Sequence, residues 1–138
     1  EISKKAIQVA EKNAKKHNVK SRLKLLNQSW NKLSGFYDII VSNPPYIKES
    51  DYHILKEEVK KYDPKVALYG GKDGYDKFRE IASIVSRSMR DSSLLILEIG
   101  INQSEVVEKI FFHNNLQTIE IIEDFQKIKR IMVFNKIK

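Results

Sequence analysis

Four consecutive residues, Asn43, Pro44, Pro45 and Tyr46, carry the clearest chemical signal in this chain. They follow the apolar run 37–41 after the single residue Ser42, so we expect them where a buried strand ends and a loop begins. Neither proline has a backbone N–H to donate to a sheet, and both have a fixed φ. The sequence therefore predicts a rigid turn with outward-facing carbonyls beside a side-chain amide. Such a turn can hold another planar polar group by its N–H atoms.

A purely structural interpretation of the same four residues stays open at this point. In that interpretation the prolines only end a strand, and Tyr46 is an aromatic residue of the core. The position favours a functional role, because open α/β sheets bind ligands at the carboxyl ends of their strands. Glu98 ends a second buried run, and we expect its carboxylate to make a specific hydrogen bond.

The order of the elements that must position these residues predicts an α/β fold. Apolar residues recur at helical spacing in some segments and form strand-like runs in others. The predicted order is a helix capped by Ser3, strands at 22–26 and 37–42, a long excursion at 47–72 with an irregular helix at 51–62, a helix at 75–89, a strand at 94–98, a helix at 103–114, and strands at 116–122 and 130–134. The last two strands are too close in sequence for a helical crossover, so they should pair antiparallel.

Composition excludes several classes of protein. The 138 residues are 41% hydrophobic and 31% charged, which suits one globular domain or a large piece of one. Cysteine is absent, so neither disulfides nor thiolate chemistry are available. No apolar run approaches the roughly 20 residues that span a bilayer, and without a signal peptide we expect a cytoplasmic location. The three histidines lack metal-ligand spacing, so no metal site is predicted.

The formal net charge is +7, with a sequence pI near 9.5. One interpretation is attraction to nucleic acid or to a protein bound to it. The other is general use of Lys as a surface residue. Because the lysines are spread along the chain and few alternate with aromatic residues, the sequence favours the second interpretation.

Several motifs resemble one family of enzymes. The run Ile39–Ile47 is similar to the signature of class I S-adenosylmethionine-dependent methyltransferases, and within them to the HemK/PrmC type, which methylates glutamine in peptide chain release factors. The more selective part of the resemblance lies downstream, in Glu58-Val59, Tyr62-Asp63-Pro64, Ala67-Leu68, Gly70-Gly71, Asp73-Gly74 and Leu97-Glu98-Ile99-Gly100 with Gln103. Asp63 stands where the family usually has Glu.

The resemblance implies methyl transfer to the side-chain amide nitrogen of the glutamine in a release factor's Gly-Gly-Gln loop. The Asn43 side-chain oxygen and the Pro44 carbonyl would accept the two N–H bonds of that amide, and Pro45 would fix the turn. The Tyr46 ring would pack against the flat amide. The expected catalytic residues are therefore Asn43, Pro44 and Tyr46, and all four residues of the turn would bind substrate.

The resemblance also implies residues for the cofactor S-adenosylmethionine. Glu1 would accept hydrogen bonds from the ribose hydroxyls, Trp30 would lie beside the adenine, and Asn43 would contact the cofactor as well. For Glu1 the alternative is a solvated terminal residue, and for Trp30 it is a hydrophobic plug. Ser29 stands where relatives often carry Asp, which puts one adenine contact in question.

The extent of the family resemblance implies that residues 1–138 form the C-terminal portion of a single catalytic domain. We expect a Rossmann-like methyltransferase sheet whose strands 1 and 2 lie largely before residue 1, as do the family's Gly-rich cofactor turn and N-terminal helical domain. No G-x-G pattern occurs in this sequence. The piece alone is expected to be poorly stable and inactive.

Two other functions remain open on the sequence alone. A nucleobase amino-methyltransferase could use the same four residues, because the exocyclic amine of adenine or guanine is also planar and conjugated. A degenerate domain without a cofactor site is the non-enzymatic alternative. The segment 62–74 favours glutamine, and the net charge leans toward nucleic acid. The oligomeric state is left open.

Overall fold

The computed structural model describes residues 1–137, and the chain divides into two compact units. The first unit is Glu1–Leu33, and the second begins at Ser34. Neither unit contains, among the described residues, a helix that is long and apolar enough to cross a membrane.

The first unit is built on one helix, α1, at Lys4–Lys16. The Ser3 side chain accepts a hydrogen bond from the Ala6 backbone N–H at 3.2 Å, as predicted for its N-cap. Lys15 and Lys16 lie in the last turn, where cations interact favourably with the helix dipole. Asn18 then adopts a left-handed conformation with φ of 56°, which ends the helix.

The strand predicted at Arg22–Leu26 is wrong. A 3-10 turn occupies Lys20–Arg22, and the backbone after it is extended at Leu23 without joining a sheet of the described residues. Within this segment the Arg22 N–H donates to the Val19 carbonyl at 3.0 Å and the Leu23 N–H donates to the Lys20 carbonyl at 3.3 Å. These bonds belong to the 3-10 turn, and among the described residues they form no ladder with a neighbouring strand. An alternating apolar pattern forms a strand only where a neighbouring backbone supplies a full ladder of hydrogen bonds.

The second unit contains a four-stranded sheet in the order β1-β2-β4-β3. Its strands are β1 at Tyr37–Ser42, β2 at Met89–Glu98, β3 at Leu116–Glu123 and β4 at Lys129–Lys136. The first two strands are parallel, and β4 runs antiparallel to both of its neighbours. The predicted α/β sheet with an antiparallel final pair is therefore confirmed.

The prediction of a buried strand before the turn is wrong for part of β1. Ile39 is 59% exposed and Val41 is 71% exposed, because β1 is the edge strand of the described sheet and pairs only with β2. On its paired side the register aligns Ser42 with Leu97. The carboxyl ends of β1 and β2 therefore lie next to each other.

Two helices cover the apolar residues of this sheet. The first, α5, spans Asp76–Val85 and continues through a 3-10 turn into β2, and the second, α6, spans Ser104–Phe112. The Phe111 ring stacks on the Phe134 ring of β4, with centroids 4.7 Å apart. The side chains of Phe78 in α5, Phe111 and Phe134 are all fully buried and belong to the core of this unit.

Between β1 and α5 the chain forms three short helices instead of the single irregular helix predicted at 51–62. They are α2 at Glu49–His53, α3 at Glu57–Tyr62 and α4 at Lys65–Leu68. The break after α3 falls at Asp63, whose extended backbone precedes Pro64, as the steric restriction before proline requires. The excursion returns to the turn through a bridge between Ile47 and Tyr69.

Candidate functional site

The turn Asn43–Tyr46 leaves β1 at Ser42, beside the end of β2. Asn43 is exposed, whereas Pro44 is less than 2% exposed. Pro45 and Tyr46 are half-buried. The turn therefore presents one polar side chain to solvent from a buried, conformationally restricted base.

Hydrogen bonds hold both the side-chain hydroxyl and the backbone carbonyl of Tyr46. Its hydroxyl donates a hydrogen bond to Oε1 of Glu98 at 3.1 Å, which confirms the specific bond expected of that carboxylate. Burial raises the pKa of the Tyr46 hydroxyl above its ordinary value, and the negative charge of Glu98 raises it further. The phenol therefore stays protonated and keeps donating at neutral pH.

The buried side chain of Gln103 joins three backbone segments. Its Nε2 donates to the Tyr46 carbonyl at 3.2 Å and to the Gly74 carbonyl at 3.5 Å. Its Oε1 accepts from the Gly100 N–H at 2.8 Å. One amide therefore ties the turn Asn43–Tyr46 to the loop after β2 and to the segment before α5.

Two glycines allow the returning segment to pass close to the turn. A Cβ on Gly70 would lie 2.7 Å from the Tyr46 Cα, and one on Gly74 would lie 2.7 Å from the Tyr46 carbonyl oxygen. Gly74 also has φ of +85°, a conformation that residues with a side chain rarely adopt. The Gly70–Gly74 segment that carries the family resemblance is thus packed directly on Tyr46.

Backbone hydrogen bonds complete this packing. The Ile47 N–H donates to the Leu68 carbonyl at 3.0 Å, and the Gly70 N–H donates to the Ile47 carbonyl at 2.9 Å. Among residues 1–137 the Asn43 side chain forms no hydrogen bond with the protein, so its amide oxygen is available to a ligand. The Tyr46 carbonyl, by contrast, is already engaged by Gln103.

The structure qualifies the expected acceptor role of Pro44. Because the residue is less than 2% exposed, its carbonyl lies below the surface of the turn. A substrate N–H reaches that oxygen only if the surrounding side chains move aside. Asn43 is therefore the acceptor that the observed geometry leaves open.

Two of the three residues expected at the cofactor, Glu1 and Trp30, belong to the first unit, whereas Asn43 belongs to the second. The Asn27 side chain donates to the carbonyls of Glu1 at 2.9 Å and Ile2 at 3.0 Å, which joins the segment carrying Glu1 to the one that leads to Trp30. Oε1 of Glu1 accepts from the Ser3 N–H at 2.7 Å. Glu1 is exposed and Trp30 is half-buried.

The chemistry of these two side chains fits the ribose and the adenine of S-adenosylmethionine. An exposed carboxylate accepts hydrogen bonds from vicinal ribose hydroxyls, and a partly exposed indole offers a face to a planar base. Glu1 and Trp30 supply these two groups on adjoining segments. Their roles toward the cofactor remain predictions.

Sequence reasoning found Gln103 only as part of the family resemblance and did not assign it a role. A polar residue three positions after a strand-ending glycine was the available signal, but its three partners come from distant parts of the chain. Asn27 was missed altogether, because an asparagine in a polar segment has no distinguishing pattern.

We predict that Gln103→Ala loosens the turn. Removing the amide leaves three buried backbone groups without their partner, which lowers the free energy of unfolding by about 1–3 kcal/mol. Hydrogen exchange of the Ile47 and Gly70 amides should become faster. The control Gln117→Ala removes an exposed glutamine from β3 and should change neither quantity. Unchanged hydrogen exchange at Ile47 and Gly70 in Gln103→Ala would contradict the conclusion that the Gln103 hydrogen bonds hold the turn.

Stability at high pH provides a second prediction. The pKa of the Tyr46 hydroxyl is higher in the folded state than in the unfolded state. Its contribution to the free energy of unfolding is therefore fully present below the unfolded pKa of about 10. That contribution is lost as pH rises through the higher folded pKa. Tyr46→Phe should therefore show a smaller decline in unfolding free energy above about pH 10. Urea unfolding at several pH values measures this decline. An identical decline in both proteins would contradict the raised pKa.

Comparisons with known proteins relate the chain to methyltransferases. The family model described as methyltransferase small domain matches residues 1–63. The chain is 35% identical over 137 residues to a protein from Agrobacterium fabrum named release factor glutamine methyltransferase, covering 99% of this chain and 47% of that protein. A protein of the same name from Thermodesulfovibrio yellowstonii is 33% identical over 137 residues, covering 99% of this chain and 49% of that protein.

A solved structure shows the same fold. The ribosomal protein L11 methylase from Lactobacillus delbrueckii subsp. bulgaricus matches with a TM-score of 0.70 and 14% identity, over 100% of this chain and 56% of that one. The chain spans about half the length of the curated relatives it matches. The chain therefore has the fold of a class I methyltransferase and is similar along nearly its whole length to proteins named release factor glutamine methyltransferase.

Proposed function

We propose that this chain carries the substrate-holding part of an enzyme that methylates the side-chain amide nitrogen of glutamine with S-adenosylmethionine. The observation that carries the proposal is the side-chain amide oxygen of Asn43, which is exposed and has no hydrogen-bond partner among the described residues. The Tyr46 carbonyl, by contrast, is already bonded to Gln103. A substrate amide placed at Asn43 meets an acceptor that has no partner in the described protein to give up, on a backbone that the two prolines restrict. Preorganised acceptors of this kind are a major source of rate enhancement.

A carboxamide nitrogen is a poor nucleophile because its lone pair is delocalised into the carbonyl. For in-line displacement the lone pair must point at the methyl carbon, so the amide has to be held in one orientation. The Asn43 side-chain oxygen accepts one N–H of the substrate amide and stabilises positive charge that develops on nitrogen. Once alkylated, the amide is strongly acidic and loses a proton to water, so no dedicated base is needed.

The second N–H of the substrate is assigned to the Pro44 carbonyl. Since Pro44 is nearly fully buried, this bond requires the neighbouring side chains to open when substrate binds. The Tyr46 ring packs against the flat amide, and its hydrogen bond to Glu98 limits the ring's rotation. Pro45 keeps the turn in one conformation.

Glu1 and Trp30 are the proposed cofactor residues of the first unit. When bound, S-adenosylmethionine supplies the electrophilic methyl group of its sulfonium. The Glu1 carboxylate would hold the ribose hydroxyls, and the Trp30 ring would lie beside the adenine. Asn43 is assigned a cofactor contact in addition to its substrate contact.

The substrate assignment rests on similarity. Relatives at 33% and 35% identity are named for glutamine methylation of release factors, and the Gly70–Gly74 segment of the family motif packs on Tyr46 in this chain. We propose a release factor as partner, with the glutamine of its Gly-Gly-Gln loop as the acceptor. Translation termination would then be the process that this protein serves.

A nucleobase amino group is the second proposed substrate. The net charge of +7 favours it, since phosphates are attracted to basic proteins. Asn43 would accept an N–H from the exocyclic amine of adenine or guanine in the same way. The family resemblance ranks this substrate below glutamine.

We predict that Asn43→Ala lowers the turnover of the complete enzyme by about 10²–10³-fold, the usual effect of removing one preorganised hydrogen-bonding group. Affinity for S-adenosylmethionine should stay within a few-fold. Transfer of labelled methyl to a release factor measures the first quantity, and isothermal titration measures the second. Asn13→Ala removes an exposed asparagine from α1 and serves as the matched control.

Two outcomes would count against this role. Unchanged turnover in Asn43→Ala would remove Asn43 from the mechanism. A loss of cofactor affinity as large as the loss of turnover would show that the cofactor contact of Asn43, and not its bond to the substrate amide, accounts for the lost activity.

A further inference from the structure

The charge of the chain is divided unevenly between its two units. Residues 1–33 contain nine Lys or Arg and two Glu, whereas residues 34–138 contain 16 Lys or Arg and 16 Asp or Glu. The whole formal net charge of +7 therefore belongs to the first unit. General use of Lys as a surface residue would add cations to both units without removing acids from one of them, so it does not explain this division.

The lysines of α1 share one face of the helix. At 100° per residue, all five lie within an arc of about 120°: Lys4, Lys5, Lys12, Lys15 and Lys16. Each of them is exposed, whereas Ile7, Ala10 and Ala14 on the far side are half-buried or buried. We call these five residues the lysine face.

Acidic residues do little to neutralise this face. Glu11 lies at its border and pairs with Lys15 at 3.8 Å and with Lys20 at 3.4 Å. The other four lysines have no ion pair with any residue from 1 to 137. Lys20, Arg22 and Lys24 follow directly after the helix and extend the positive charge.

The shape of the lysine face indicates the kind of ligand. From Lys4 to Lys16 the cations extend over about 18 Å of helix, so they match a row of anions and not a single phosphate group. An interface with an acidic protein would be expected to have an apolar or aromatic centre with few lysines. The arc contains only lysines and Gln8, which favours a phosphate backbone.

We propose that the lysine face of α1 binds the phosphate backbone of nucleic acid without reading its sequence. Lysine neutralises phosphates as a flexible point charge, and the face has no aromatic side chain for stacking on bases. This binding is separate from methyl transfer and does not depend on whether glutamine is the substrate.

The test compares two triple variants of the complete protein. Lys4→Gln, Lys12→Gln and Lys16→Gln are combined in the first, and Lys56→Gln, Lys72→Gln and Lys129→Gln in the second. All six lysines are exposed, and both variants lose the same charge. Glutamine has nearly the helix propensity of lysine, so α1 should still form, and circular dichroism checks that it does.

Fluorescence anisotropy with a labelled RNA duplex of mixed sequence measures binding over a series of salt concentrations. We expect the first variant to lose about tenfold or more in affinity at low salt and to reduce the slope of log K against log salt by about 2–3, since each phosphate contact contributes roughly 0.9. The second variant should match the unaltered protein.

Three results would overturn the proposal. The first is an equal loss in both variants, because binding would then follow overall charge. The second is no binding of the unaltered protein to the duplex at low salt. The third is binding to polyglutamate without binding to RNA, which would assign the face to an acidic protein.

Discussion

The candidate site depends on the hydrogen bonds of one buried amide, that of Gln103. Its two polar atoms satisfy the Gly100 N–H and the carbonyls of Tyr46 and Gly74. Buried polar groups without partners are costly, so these bonds hold the three segments in one arrangement. The position of the turn is therefore set from a loop more than fifty residues away in sequence.

This arrangement separates groups that maintain structure from the group left for a ligand. The Tyr46 hydroxyl is bonded to Glu98, and its carbonyl is bonded to Gln103. Pro44 is packed beneath the surface, and Gly70 and Gly74 leave room for the returning segment. Asn43 is the polar side chain of the turn that stays exposed. In our account the backbone beneath Asn43 is held by its neighbours, and its side chain is available to a ligand because it has no partner among the described residues.

The sequence allowed the second unit to be predicted better than the first. Strand-like runs and short connections were enough to identify the antiparallel final pair and the turn after β1, because these features follow from local patterns. Glu98 was expected to make a specific hydrogen bond, since a charged residue ending a buried strand needs a partner. The Arg22–Leu26 strand failed because a strand depends on its neighbour, which no local pattern encodes. The role of Gln103 required knowing which distant backbone groups meet.

The central claim is that the Asn43 turn holds a glutamine side-chain amide for methylation. The most direct measurement supplies the complete protein with labelled S-adenosylmethionine, a release factor carrying Gly-Gly-Gln, and RNA in parallel reactions, and locates the label by mass spectrometry. Our account predicts label on the glutamine side-chain nitrogen of the release factor. Label in RNA, with none in the release factor or in a Gly-Gly-Gln peptide, would contradict it.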